Sequence, residues 1–290
     1  MQQIFGILIV LGCVFGGFVF MGGDFRKLWQ PVELLIVVGS AVGALVLGNS
    51  RHVLVDMGKQ LRKVMGRRKR TANKELQRQQ LLLMYELLNI GRDLKALDNH
   101  VENPHESRLF QRYPLVLQGP ELLTFIVDNL RLMAMGKISS HELESVLEQE
   151  LVAVQENIEL PSRSIKKISE AMPGFGIVAA VLGVVIAMGR LGDGASAAEL
   201  AENVAAAMIG TLIGIFFCYG VLDPVSNLVK QAMKAEMSEM ECMKVILVAF
   251  AGGKPPLLAI DAGRRMMQPA CKPSFAQLEG WIGQLDAGRE

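Results

Sequence analysis

The chain has 290 residues and a mass of 31.7 kDa; 51% of the residues are hydrophobic and 20% charged, the mean hydropathy is +0.31 and the formal net charge is +1. That hydropathy is too high for an ordinary soluble chain, and near-neutrality excludes a strongly basic nucleic-acid binder, so the composition points to a membrane protein. Only 6% of residues are aromatic against 29 Gly, which suits closely packed helices, and the four Cys form no disulfide framework because Cys13 and Cys218 lie in apolar runs while Cys242 and Cys271 are isolated.

A hydrocarbon core of about 30 Å is crossed by about 20 apolar residues of helix. The first run that qualifies is Ile4–Gly23, uncharged throughout. The MQQ before it supplies no basic segment and the run is too long for a signal-peptide core, so it reads as a retained helix. Val32–Asn49 is the second run, with only Glu33 at its edge, and the GGDFRKLWQP loop between the two is nearly balanced in charge. Then come Arg51, Lys59, Arg62 and Lys63 and the cluster Arg67-Arg68-Lys69-Arg70. Cytoplasmic flanks are enriched in Lys and Arg, so this collar assigns residues 51–170 and both termini to the cytoplasmic side. The cluster itself reads as a topology and lipid-headgroup anchor in preference to a nucleic-acid patch.

The stretch of about 120 residues that follows the second run is polar, helix-patterned and too long for a linker, so it forms a domain. Leu81–Ile90 and Leu122–Met133 have helical spacing and are separated by a loop containing Asn103-Pro104 and Tyr113-Pro114. Ser139 and Glu142 make a capping box ahead of Leu143, Val146, Leu147, Leu151 and Val154, which announces a further helix. Ala171–Gly189 and Asn203–Leu222 are the third and fourth apolar runs, both uncharged, joined by RLGDGASAAELAE. Beyond them Val225–Phe250 predicts a mixed-charge helix broken at Gly252-Gly253 and Pro255-Pro256, and Ser274 with Gln277 caps a last short helix carrying Leu278 and Trp281. No run alternates like a strand. The expected fold class is all-α: a polytopic membrane protein with four transmembrane helices and a helical cytoplasmic domain inserted between helices 2 and 3. The expected division is 1–50 for the first two transmembrane helices, 51–170 for the cytoplasmic domain, 171–224 for the other two transmembrane helices and 225–290 for a cytoplasmic helical tail.

No enzyme constellation is present: there is no H-E-x-x-H, P-loop, G-x-S-x-G or paired Cys/His ligand spacing, and His52, His100, His105 and His141 all lie outside the apolar runs. No cofactor or metal is expected. Small residues say more. Gly12/Gly16, Gly39/Gly43 and Gly210/Gly214 repeat at i, i+4, and Gly176, Ala180, Gly183 and Ala187 trace one stripe, the pattern by which helix backbones approach closely in lipid. Met208, Thr211, Ile215 and Tyr219 form a second stripe, in which the Thr211 hydroxyl would bond the carbonyl four residues back if its role were structural. Pro173 and Pro224 mark the ends of the inner runs: each is either a plain helix boundary or, if the helix continues, a kink that frees the carbonyl of Ser169 or Gly220. No Asp or Glu lies inside any apolar run, although an ion relay normally uses an intramembrane carboxylate. An ion-conducting role therefore requires the titrating group of a partner.

The order of apolar runs and the strings VFGGFVFMGG, QPVELLIVVGSAVGALVLGN, ENPHES, FIVDNLRLM, MPGFGIVAAVLGVV, AAAMIGTLIGIFFCYGVLDP and KPSFAQLEGWIGQL resemble the MotA family of flagellar stator subunits from end to end. The resemblance implies a homo-pentamer around the helices of a two-copy partner of the MotB type, a single-span, peptidoglycan-anchored subunit that supplies the titrating Asp. Ion-motive force would then drive torque on the rotor protein FliG. It also implies that Pro173 and Pro224 are the family's two functional prolines and that Ala180, Met208, Thr211 and Tyr219 look toward the partner helix and ion path. Ala180 stands where sodium-type relatives carry Thr, which implies proton coupling. The expected rotor contacts are Arg92, Lys95, Asp98 and Glu102; Asp98 falls where the family has Glu, Arg92 is displaced from the usual Arg and Lys95 is an addition. The alternatives are an ExbB/TolQ-like energiser of an outer-membrane process, which usually has three spans, and a self-contained transporter, which would need a carboxylate or repeat of its own.

Overall fold

The computed structural model describes residues 2–65, 70–91, 94–136, 138–192 and 196–288, and every regular element in them is helical. The RRKR cluster lies largely outside the described residues. Helix α1 (Gln2–Phe20) ends where Gly22 takes a φ of 83°, which lets the Gly22 and Gly23 amides reach back to the carbonyls of Val19 and Phe18 at 2.9 and 3.0 Å. Only glycine adopts that backbone without strain. The carboxylate of Asp24 caps the single turn α2 (Phe25–Leu28) by accepting the Arg26 amide at 2.9 Å. Pro31 opens α3 (Pro31–Gly48), where a missing N–H leaves nothing unmade, and Asn49 closes it by donating to the Leu45 carbonyl at 2.8 Å. The amphipathic α4 (Arg51–Met65) follows.

Next come α5 (Arg70–Ile90), α6 (Leu94–Glu102), α7 (Arg108–Gln111), α8 (Pro114–Leu117) and α9 (Pro120–Ala134). The segment expected as a loop around Asn103 and Tyr113 is therefore mostly short helices, with Pro114 and Pro120 starting two of them rather than breaking one. The longest element, α10 (Ser140–Gly192), runs 53 residues without interruption through Pro161 and Pro173. Then α11 (Ala197–Phe216) passes through a π-helical stretch (Phe217–Leu222) into α12 (Asp223–Ala251). A glycine turn at Gly253, φ 82°, ends α12, as its Gly-Gly sequence predicts. The chain finishes with α13 (Pro256–Arg264) and α14 (Phe275–Ala287). The expected capping boxes form at Ser139/Glu142 and Ser274/Gln277, and a third forms at Ser196/Glu199, which has the same Ser-x-x-Glu spelling as the first.

The chain divides into two compact units, Met1–Val64 with Glu159–Gln231, and Met65–Ile158 with Ala232–Glu290. The second unit closes around Leu81, Met84, Leu87, Phe110, Ile126, Leu143 and Leu147, all nearly or wholly inaccessible. Its buried charges are matched. Glu86, fully buried, accepts the Tyr113 hydroxyl at 2.6 Å and pairs with Arg112. Asp261 accepts Arg264 Nε at 2.7 Å and Arg265 Nε at 3.0 Å. Burial pushes the Asp261 carboxyl up, but these two guanidinium groups outweigh it and hold the pKa below the ordinary aspartate value.

In the first unit the fully buried apolar side chains are fewer: Val37, Ala41, Met172, Ala179 and Cys218 form its cluster. Three helical runs are long and apolar enough to cross a bilayer, Phe25–Gly48, Ser140–Arg190 and Ala197–Ala251, and Phe5–Phe20 is a shorter apolar helix. Those runs fit a membrane protein built from helices.

Candidate functional site

The inner apolar helices meet along a seam of small residues. On α10 the buried positions Ser162, Ile165, Ser169, Met172, Gly176 and Ala179 advance by alternating steps of three and four, the spacing of one helix face. On α11 the matching face is Ala207, Gly210 and Gly214, followed by Cys218 in the π stretch. The backbones touch. A Cβ added at Gly214 would lie 2.6 Å from the Met172 carbonyl oxygen, and one at Gly176 would lie 2.7 Å from that of Gly210. One at Gly183 would lie 2.6 Å from the Ala207 Cβ. These glycines are present because nothing larger fits. By contrast a Cβ at Gly12, Gly16 or Gly43 would meet nothing within 4 Å, so those stripes stay open in this chain.

The second stripe on α11 sits one residue on from the packed one, about 100° around the helix. Met208 and Tyr219 on it are 68% and 69% exposed, Ile215 is exposed and Thr211 is half-buried at the edge of the seam. Ala180 occupies the corresponding edge of α10, half-buried. Thr211 departs from the local bond expected of a structural threonine, because its hydroxyl donates across the seam to the Gly176 carbonyl at 3.5 Å. That is a long contact, permitted because Gly176 lets the two backbones come together.

Neither proline is a helix boundary. Pro173 lies inside α10, and Pro224 is the second residue of α12, directly behind the π stretch. Each lacks the N–H that would bond the carbonyl four residues earlier. Serine hydroxyls that no motif marks tie the helices beside them. Ser169 Oγ, fully buried, donates to the Cys218 carbonyl at 3.0 Å, and that carbonyl also accepts the Asp223 amide in the wide π turn. Ser162 and Ser226 clasp reciprocally, each hydroxyl donating to the other's carbonyl at 3.1 and 3.0 Å. Lys166 pairs with Asp223 and, at 3.7 Å, with Glu170. Serines at i, i+7 on a face of small residues were the available signal for these ties.

Of the expected rotor contacts, Asp98 and Glu102 are exposed one turn apart on α6, each directly following a buried residue, Leu97 and Val101. Lys95 belongs to the first turn of α6, and Arg92 lies outside the described residues. Among the described residues no group of three or more His, Cys, Asp or Glu could hold a metal ion. The seam offers a tightly packed face, an open apolar face beside it, and two helices with hydrogen bonds missing at their prolines.

Residues 4–94 match the family described as Motility protein A N-terminal, and residues 121–242 the MotA/TolQ/ExbB proton channel family. The chain is 47% identical to Chemotaxis protein LafT of Vibrio parahaemolyticus over 99% of this chain and 100% of that protein. It is 36% identical to Motility protein A of Escherichia coli over 96% and 94% of the two chains. Among solved structures, MotAB from C. jejuni is similar with a TM-score of 0.69 at 18% identity, covering 92% of this chain and 96% of that one. The flagellar MotAB stator complex from Bacillus subtilis gives 0.66 at 20%, covering 89% and 92%. At those identities the solved structures speak for the fold, while the full-length likeness to the curated relatives carries the assignment: this chain belongs to the motility protein A (MotA) family of flagellar stator subunits.

Proposed function

We propose that this chain works as an inner-membrane, four-span subunit with both termini in the cytoplasm, and that it assembles as a pentamer around a two-copy, single-span partner of the MotB type. The carrying observation is the open stripe of Met208, Thr211 and Tyr219 beside a sealed glycine seam, in apolar runs that contain no carboxylate of their own. A partner helix laid on that stripe brings the titrating Asp, and Ala180 and Thr211 border its path. The relatives described as MotAB complexes support a partner of this kind.

On this reading each proton that crosses neutralises and then releases the partner's carboxylate. The accompanying shift is taken up at Pro173 and Pro224, where the helices lack hydrogen bonds. One charge moving through about 100 mV supplies about 2.3 kcal/mol, which biases a two-state step by more than tenfold. Several protons per turn are therefore required. Arg92, Lys95, Asp98 and Glu102 carry the motion to the rotor protein FliG. Ala180 in place of a hydroxyl-bearing residue removes a ligand from a hard cation and favours protons over sodium.

The test is motility driven by this chain and its partner, with external sodium varied at constant proton-motive force. Speed independent of sodium is the expected result, and a sodium requirement overturns proton coupling. Copurification then reads the assembly: five copies of this chain to two of the partner are expected, and recovery of this chain without any partner sinks the reading. Charge reversal at Asp98 should lower torque while leaving copurification intact.

A further inference from the structure

A cavity of about 360 Å³ lies within the first unit, walled by α1, α2, α3 and α11. Phe15, Phe25, Leu34, Leu212 and Phe216 are among its lining side chains, and Gln30 is the sole polar one. The walls are braced by aromatic packing, with Phe15 edge-on to Phe216 at 5.4 Å between ring centres and tilted against Phe25 at 6.2 Å. Its volume falls within the range of about 300–1,000 Å³ found for ligand-sized clefts. The short helix α2 that contributes Phe25 and Leu28 also carries Arg26 and Lys27, both exposed, and neither side chain has an ion-pair partner among the described residues. Trp29, also on the lining, is 73% exposed, which suits the headgroup level of a bilayer.

We propose that this cavity binds an anionic glycerophospholipid, one acyl chain entering alongside the packed rings of Phe15, Phe25 and Phe216 while the phosphate sits against Arg26 and Lys27. The proposal rests on the membrane reading of the first unit given above. The two cations decide the occupant. An apolar helix from a second copy would fill the hydrophobic space but bring no anion to Arg26 and Lys27, because the apolar runs hold no interior carboxylate. A choline lipid carries its own cation beside the phosphate, so it gains less from the pair. An acyl chain alone would leave both cations unmatched.

The full chain has two tryptophans, so Trp281→Phe leaves Trp29 as the only one and makes its fluorescence report on the site. The protein is reconstituted in phosphatidylcholine vesicles and titrated with phosphatidylglycerol brominated on its acyl chains, then in parallel with phosphatidylcholine brominated in the same way. Half-quenching of Trp29 is expected at a several-fold lower mole fraction of the anionic lipid. Arg26→Gln and Lys27→Gln should each raise that fraction about fivefold. Ile209→Phe, which fills the cavity and keeps both cations, should bring quenching by the anionic lipid down to that by phosphatidylcholine.

Equal half-quenching by the two lipids, or no response to losing the cations, overturns the site and leaves the membrane reading standing. No quenching even in wholly brominated vesicles also overturns the site. Sedimentation after a carbonate wash then separates the two causes: protein that stays with the vesicles has the cavity covered by another copy, and protein that washes off fails the membrane reading as well.

Discussion

In the second unit, Phe110, Leu143 and Leu147 are buried to completion and the interior charges Glu86 and Asp261 are matched by arginines. In the first, the seam is made of glycine, alanine and serine, and the large apolar side chains point outward. All but six of the large apolar side chains exposed among the described residues, the exceptions being Met135, Val146, Val152, Leu258, Met266 and Phe275, belong to the first unit. The same chain therefore uses two physical recipes. Where water surrounds the fold, burying big side chains supplies the driving force. Where lipid and partner helices surround it, large apolar groups gain nothing by turning inward, and backbone contact through small residues does the packing.

That contrast can be broken by substitution. Phe110→Ala should cost the second unit about 3–5 kcal/mol, read as a lowered urea midpoint of Trp281 fluorescence. A loss smaller than that of a glycine-seam variant would reverse the contrast. Asp261→Ala strands Arg264 and should cost about 3 kcal/mol by the same measurement. Because the folded pKa of Asp261 lies below the unfolded value of about 3.9, its contribution is present above that pH and disappears as pH falls through the folded pKa. Wild type should therefore lose stability in acid more steeply than Asp261→Asn, and parallel pH curves would remove the carboxylate from the account.

In the first unit, Gly214→Ala should cost about 1–3 kcal/mol by forcing the helices apart at the Met172 carbonyl. Reduced thermal stability of the purified protein checks it, whereas Gly16→Ala, which meets open space, should be silent in the same assay. Smallest of all in stability is Met208→Ala, within about 0.5 kcal/mol because its side chain is exposed. Yet it should lower partner copurification and motility. Unchanged copurification would take Met208 out of the partner surface.

Much of this was legible in the sequence for local reasons. Capping boxes at Ser139 and Ser274 depend only on residues three apart, and the small-residue stripe from Gly176 declares close packing wherever it points. What the stripe touches was less visible, since Gly176 packs on Gly210 while Gly12 and Gly16 face open space with the same spelling. The passage of α10 through Pro161 and Pro173 could not be read from propensity. Proline weakens a helix locally, and packing along the seam outweighs that loss. The Thr211 bond has a related cause: its acceptor lies across the seam and not on its own helix, and that neighbour is not a matter of spacing. The cavity lining joins residues between Leu11 and Leu34 to residues between Ile209 and Phe217, and that long-range pairing leaves no local trace.

The π stretch at Phe217–Leu222 has a consequence for phase. On α10 the inward residues keep one spacing from Ser162 to Ala179. Along the opposing helix an unbroken α-helical count from Cys218 would bring Val225 to the interface seven residues later and turn Ser226 away. Instead Ser226 is 3% exposed, one residue late. The wide turn absorbs that residue, like a single insertion taken up within the helix. It lets a glycine contact upstream and a serine clasp downstream stay in step with the same partner helix, so α11 and α12 work as a vernier against α10.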